Sequence, residues 1–341
     1  MNVPLLSAPM RRRAMLGAGV IVPLAALYGC SRRGANPASE LPKLRIATPL
    51  VPHSGLLHLA SARGFFHDQG LEATLVPQIH GKAALADLLR GQADLAVAAD
   101  VPVVVEVLKG ARLSIIASVA HSSNELVVLG SVDRGVRNPG DLRGRKVGVT
   151  LGTSGEYFLW AFLVRNRIAP QSVELVELPP TRLIESLRDG LVDGAAAWQP
   201  IRHEAELAFG DAIVSLHAPD AYEQSYVLVG SSDYVQEHQQ EFRRLLSALM
   251  QAEAFARAEP QQAKAALAAQ VKLTPTTLDP IWQDLSFKVE QQQAQLITLE
   301  DVATWAMARG YAPAQPMPNF LSHLSLEALL AVGPERVTVV R

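Results

Sequence analysis

The sequence predicts an α/β protein of two similar lobes, each a mainly parallel sheet flanked by helices, with a ligand cleft between them. Three observations carry this. At 341 residues and 49% hydrophobic, the chain can bury two cores of ordinary domain size. Short apolar runs of strand length alternate with segments of helical periodicity. Above all, one module occurs twice about one hundred residues apart. Arg45-Ile46-Ala47-Thr48-Pro49-Leu50 leads into Pro52-His53-Ser54-Gly55 and an apolar helix pattern. Lys146-Val147-Gly148-Val149-Thr150-Leu151 likewise leads into Gly152-Thr153-Ser154-Gly155 and another. Further on, Leu89 to Val97 matches Arg188 to Ala196 around a shared Gly-x-x-Asp.

The elements follow in order. Leu44–Thr48 reads as the first strand, and the helix from Gly55 to Ala62 stops at Gly64. Glu72–Pro77 is a strand. Lys82–Arg90 is a helix with Leu85, Ala86 and Leu89 on its apolar face, closed by Gly91. Asp94–Ala98 is a buried strand, after which Asp100 caps a helix to about Lys109, and Leu113–Val119 is another strand. Glu125–Leu129 reads as a crossover into the second lobe. That lobe repeats the pattern with strands at Lys146–Thr150, Val173–Leu178, Gly194–Trp198 and Ala212–Leu216, and helices at Tyr157–Arg167, Thr181–Arg188 and after Pro200. Ser225–Val229 reads as the return crossover. A single long helix, Tyr234 to Ala258, is expected before Pro260, and the remainder as amphipathic helices packed on the first lobe. The expected boundaries are thus 44–125 and 230–341 for lobe one and 126–229 for lobe two, with two crossings as a hinge.

The N-terminus has a different character. Arg11-Arg12-Arg13 precedes an apolar stretch, Ala14 to Tyr28, that is broken by Pro23 and too short to span a bilayer. Residues 1–29 are therefore expected to be an export signal, and Arg12-Arg13 also resembles the twin-arginine pattern. Leu27-Tyr28-Gly29-Cys30 resembles a lipobox, which makes Cys30 the expected site of lipid attachment, with a tether over residues 30–43. One cysteine permits no internal disulfide and no cysteine-rich metal site. The nine histidines show no metal-ligand spacing, and no metal or cofactor is expected. With a formal net charge of −2 and no basic stripe, nothing points to nucleic acid.

Several motifs carry a family likeness: Leu57-His58-Leu59-Ala60-Ser61-Ala62-Arg63-Gly64-Phe65-Phe66, Asp100-Val101-Pro102, Leu142-Arg143-Gly144-Arg145-Lys146-Val147-Gly148-Val149, and Asp193 to Pro200. In this order and spacing the chain resembles solute-binding lipoproteins of ABC importers for nitrate, taurine and alkanesulfonates, which have the type II periplasmic-binding-protein fold. The resemblance implies a monomer held at the periplasmic face of a membrane by Cys30, passing a small ligand to a permease and its ATPase. A ligand-presenting sensor is the alternative. Enzymes of thiamine-pyrimidine or menaquinone synthesis resemble this fold too, but the thiamine-type enzymes need a cysteine-rich segment, so no enzyme is expected. The resemblance further implies ligand contacts at His53, Ser54 and Gly55, at Thr153, Ser154 and Gly155, and at Trp198 and Gln199. Open α/β sheets bind ligands off the carboxyl ends of strands, where helix N-termini present free N–H groups. The two serines also suit plain N-caps. Asp100, His121 and Tyr222 lie near the same strand ends and join the candidate set, and Lys82 would favour anions. Glu156, directly after Ser154-Gly155, would repel an anion if it pointed into the cleft.

Overall fold

The computed structural model describes residues 41–340, so the expected export signal, Cys30 and the tether up to residue 40 lie outside the described residues, and Lys43, the last expected tether residue, already belongs to the first strand. Among those described, no helix is long and apolar enough to cross a membrane.

In chain order, β1 (Lys43–Pro49) runs through a 3-10 turn into α1 (Gly55–Ala62) and α2 (Phe65–Asp68). Next come β2 (Glu72–Gln78), α3 (Gly81–Leu89), β3 (Leu95–Ala99), α4 (Asp100–Leu108) and β4 (Leu113–Ser122). Then follow β5 (Val127–Ser131), β6 (Lys146–Val149), α5 (Ser154–Arg165), β7 (Glu174–Glu177), α6 (Leu183–Arg188), β8 (Gly194–Ala197), α7 (Ile201–Phe209) and β9 (Ile213–Leu216). The chain returns through β10 (Gln224–Ser231) to α8 (Ser232–Glu237), α9 (Gln239–Ala258), α10 (Pro260–Val271), α11 (Pro275–Gln283), β11 (Ser286–Glu290), α12 (Gln293–Ala308) and α13 (Glu327–Val332).

Two sheets result, of order β11-β4-β10-β3-β1-β2 and β7-β6-β8-β5-β9. The repeat is visible in both: β2-β1-β3 and β7-β6-β8 are parallel triplets. Each triplet is extended by a strand arriving from the other sheet, β10 in the first and β5 in the second, antiparallel to both neighbours. The segments expected as crossovers are therefore full strands. Being buried almost throughout, they read as continuous apolar runs without alternation. The chain crosses between sheets just before them, at 123–126 and 217–223.

Three further expectations change. The long helix breaks at His238, whose backbone (φ −112°, ψ 34°) leaves the helical region between α8 and α9. The C-terminal part is not all helical, because β11 pairs with β4 on the edge of the six-stranded sheet. It also does not pack on the first lobe alone. The α12 helix lies against α4 and carries Trp305 edge-on to Tyr157 of α5, with ring centroids 5.3 Å apart. As a result one apolar cluster, including Ala96, Val128, Val147, Phe158 and Trp305, is shared by both sheets. A second cluster lies under α1, α9 and α10, and a small third one under α6 and α7.

Candidate functional site

Where β2, β3, β6 and β8 end, the starts of α3, α4 and α5 converge on a small cleft. The second copy of the repeat supplies one wall. Thr153 Oγ1 donates to Thr150 O (2.7 Å), and the first helical bond of α5 runs from Glu156 N to Thr153 O (3.1 Å). The N–H groups of Ser154 and Gly155 precede that bond and are free of the helix ladder. Ser154 is buried, its hydroxyl close to that of Tyr222, and lines the cleft, as do Thr153, Gly155 and Trp198. A Cβ at residue 155 would come within 3.1 Å of the Trp198 ring, so a larger residue there would require the indole to shift.

The opposite wall is the start of α3. His80 caps this helix by accepting from Ala83 N at Nδ1 (3.0 Å), and burial pushes its pKa down, so it is a neutral acceptor. At Gly81 a Cβ would meet Ala98 Cα at 2.9 Å, so glycine lets α3 start directly against β3. Lys82 Nζ reaches across the cleft to Leu151 O (3.0 Å). On β10, Gln224 and Tyr226 point to one side of the sheet and form the floor. Gln224 is 1% exposed, with Oε1 unpartnered. No carboxylate lines the cleft, and Lys82 is its cationic side chain.

The first copy of the repeat behaves differently. His53, Ser54 and Gly55 are not among the lining residues. Gly55 faces Phe287 of β11, whose ring would lie 2.6 Å from a Cβ, and Leu267 of α10. The C-terminal segment has no counterpart in the other sheet and covers this helix start, so α3 replaces α1 at the cleft. His53 stacks on Tyr226 (4.3 Å between centroids, 18° between planes) and touches Glu125, all three being buried. Burial pushes His53 down to about 3. Burial, with Asp284 nearby, drives Glu125 well above the usual carboxylate range. Both shifts favour the uncharged form of each partner in this buried contact.

Asp100, His121, Gln199 and Tyr222 also stand outside the lining, each held by protein partners. Asp100 begins α4 rather than capping it, the N-cap being Ala99. Its carboxylate accepts from Val101 N (2.7 Å), Ser225 N (3.1 Å) and the Tyr222 hydroxyl. Burial raises it to about 6 despite those bonds. Asp100 and Tyr222 thus tie the start of α4 to the loop entering β10. His121 is shared between Ser225 Oγ (3.1 Å) and Glu290 (3.3 Å). Burial opposes ionisation of Glu290, but hydrogen bonds from His121, Lys288 and Gln292 prevail and hold it at about 2. Gln199 Oε1 accepts from His203 N in the first turn of α7 (3.3 Å).

Glu156 does not oppose an anion in the cleft. Its carboxylate accepts from Gly152 N (2.7 Å), from Arg309 Nε and Nη2 (3.2 and 2.9 Å) and from the Tyr311 hydroxyl. It pins α5 to the end of α12. A Glu156→Ala variant, which orphans these donors, is expected to lose about 3 kcal/mol of stability in urea unfolding. A loss under about 1 kcal/mol would mean the bonds are exchanged for water at no cost.

Of the residues expected at the site, the structure brings Thr153, Ser154, Gly155 and Trp198 to the cleft. It adds Val51, His80, Gly81, Leu126, Gln224 and Tyr226. Ile79-His80-Gly81-Lys82 carried a usable signal, since it joins a strand end to a helix start as Ser154-Gly155 does. Among the described residues, no group of three or more His, Cys, Asp or Glu side chains could hold a metal ion.

The fold recurs in solved structures. The periplasmic aliphatic sulphonate binding protein of Escherichia coli superposes with a TM-score of 0.71 at 20% identity, over 80% of this chain and 94% of that one. The periplasmic nitrate-binding protein of Synechocystis PCC 6803 gives 0.69 at 13% identity, over 86% and 90%. In sequence, the chain is 24% identical to a putative binding protein of Brucella abortus (strain 2308) over 208 residues. That match covers 60% of this chain and 63% of the relative, so the chain spans somewhat under two thirds of the curated relative's length. It is 34% identical to the taurine-binding periplasmic protein of Escherichia coli (strain K12) over 110 residues, 32% of this chain and 31% of that protein. The family profile described as NMT1/THI5 like matches residues 52–263, more than half of the chain. With the periplasmic-binding-protein fold and that match together, the chain belongs to the NMT1/THI5-like family.

Proposed function

We propose that this protein is the extracytoplasmic solute-binding component of an ABC importer, and that it captures a small oxyanion between its two sheets for delivery to a permease. The observation that carries this is the convergence of donors without a carboxylate. Two N–H groups at the start of α5, the buried Ser154 hydroxyl and the Lys82 ammonium meet in one cleft walled by Trp198. Helix N-termini favour anions, and a low-dielectric cleft strengthens each contact. The names of the relatives, which include taurine-binding, sulfonate-binding and nitrate-binding proteins, support the same reading. Capture requires no reacting group, and we assign no enzymatic role. The two chain crossings at 123–126 and 217–223 are where closure would be absorbed. Lipid attachment at Cys30 would keep the protein at the periplasmic face of a membrane, beside its permease.

A thermal-shift and calorimetric screen of the purified protein against sulfonates, nitrate, amino acids, pyrimidines and aromatic carboxylates tests this. A true ligand at one hundred times its dissociation constant adds ~2.7 kcal/mol of stability. It should also change tryptophan fluorescence in the native protein but not in Trp198→Phe. Turnover of a candidate solute, with no stabilisation by any, would overturn the reading.

A further inference from the structure

One polar knot ties the two chain crossings to each other. Asn124, in the first crossing, uses its whole side-chain amide. Its Nδ2 donates to Asp284 Oδ1 (2.8 Å), and its Oδ1 accepts from Nδ1 of His217, the first residue of the second crossing (3.0 Å). Its backbone carbonyl accepts from Arg202 Nη1 (2.9 Å), and the same nitrogen donates to Asp284 Oδ2 (3.1 Å). Arg202 belongs to α7 in the second lobe, and Asp284 to the turn between α11 and β11 in the first. The ion pair thus crosses between lobes, with side chains only 13% and 14% exposed.

The knot also reaches the cleft. Arg202 N donates to Trp198 O (3.0 Å), and His203 N to Gln199 Oε1 (3.3 Å), so Trp198 is fixed to the first turn of α7. Glu206, one turn further on, accepts from Arg202 Nε (3.0 Å) and from Ser215 Oγ of β9 (2.6 Å), which aims the guanidinium at the crossing. From this juxtaposition we propose that Arg202 is a positioning residue: paired with Asp284 it clasps the two lobes, and through α7 it sets where Trp198 stands in the cleft. A guanidinium and a carboxylate so little exposed lose more on parting than a surface pair, because each is left poorly solvated. Rotation at 123–126 and 217–223 moves α7 relative to Asp284, so opening has to part them. The clasp therefore favours the closed arrangement, in which Lys82 of one lobe touches Leu151 O of the other, by contacts outside the cleft. This goes beyond solute capture, since it places part of the balance between open and closed forms at the crossings.

Small-angle scattering, amide hydrogen exchange and tryptophan emission of the purified protein, with no solute added, test the proposal in Asp284→Asn, Arg202→Gln and the double variant. Asp284→Asn keeps the acceptor for Asn124 and loses the ion pair. It is expected to raise the radius of gyration, to speed exchange at 123–126 and 217–223 at least about tenfold, and to shift emission to the red. The double variant should go no further than the larger single effect, as for two halves of one contact. The red shift should vanish in a Trp198→Phe background, which retains Trp282, two residues from Asp284. A folded Asp284→Asn protein with native scattering and exchange would overturn the clasp, as would additive effects in the double variant. A red shift that survives Trp198→Phe would overturn the positioning of Trp198. If Arg202→Gln fails to fold, Asp284→Asn decides by itself. No readout involves a solute, so the solute-binding reading stands or falls separately on its own screen.

Discussion

A Gly155→Leu variant is expected to bind its solute on the order of a hundredfold more weakly, a loss of about 2.8 kcal/mol, while remaining folded. Gly155 is the first-turn residue of α5 whose N–H stands free at the cleft. A Cβ there already comes within 3.1 Å of Trp198. A leucine side chain would occupy the space in front of the free N–H groups and displace the indole. The fold should tolerate it, because glycine costs a helix roughly 0.5–1 kcal/mol relative to alanine and Trp198 is only partly buried. Gly155→Ala serves as the graded control and should lose less affinity. Calorimetry gives the binding constants and urea unfolding the stabilities. Full affinity in a folded Gly155→Leu protein would place the ligand elsewhere.

The second large effect is acid destabilisation centred on His53. Burial holds its pKa at about 3, against 6.5 for a free histidine. The unfolded chain therefore binds a proton that the folded chain refuses between these values. Stability from this residue is complete above pH 6.5 and is lost as pH falls towards 3, up to about 5 kcal/mol in all. Asp100 has the opposite sign. Raised to about 6 by burial from 3.8, it favours the fold most below pH 3.8, and that contribution, up to about 3 kcal/mol, is lost as pH rises through 6. Glu125, also raised, acts in the same direction as Asp100. The His53 contribution is isolated by comparison with His53→Gln: urea midpoints between pH 7.5 and 4 should fall more steeply for the native protein. Parallel profiles would show that His53 takes up its proton without cost in the folded state.

Much of this molecule was legible from local pattern. The duplicated strand-helix module, the Gly-x-x-Asp helix ends and the buried strands each announce themselves within a dozen residues, because helix and strand periodicity are local properties. Thr153, Ser154, Gly155 and Trp198 were legible for the same reason, since each belongs to a strand end or a helix start. Ser54 and Gly55 have an almost identical local signature and a different fate. Nothing within ten residues of Gly55 reveals that Phe287, more than two hundred residues later, closes over it. His53, Asp100, His121, Gln199 and Tyr222 are similar cases. Each is polar and near a strand end, and each packs against a partner that the fold supplies.

The sequence by itself determined that there are two related halves, that helix N-termini gather at the strand ends, and that Ser154-Gly155 is one of them. Only the tertiary structure decided which helix faces it. The C-terminal strand and helices cover α1, so α3, with His80, Gly81 and Lys82, forms the other wall. The reason is physical: a helix start with free N–H groups is a binding site only where no other part of the chain has already packed against it. That depends on contacts distant in sequence, which periodicity does not encode.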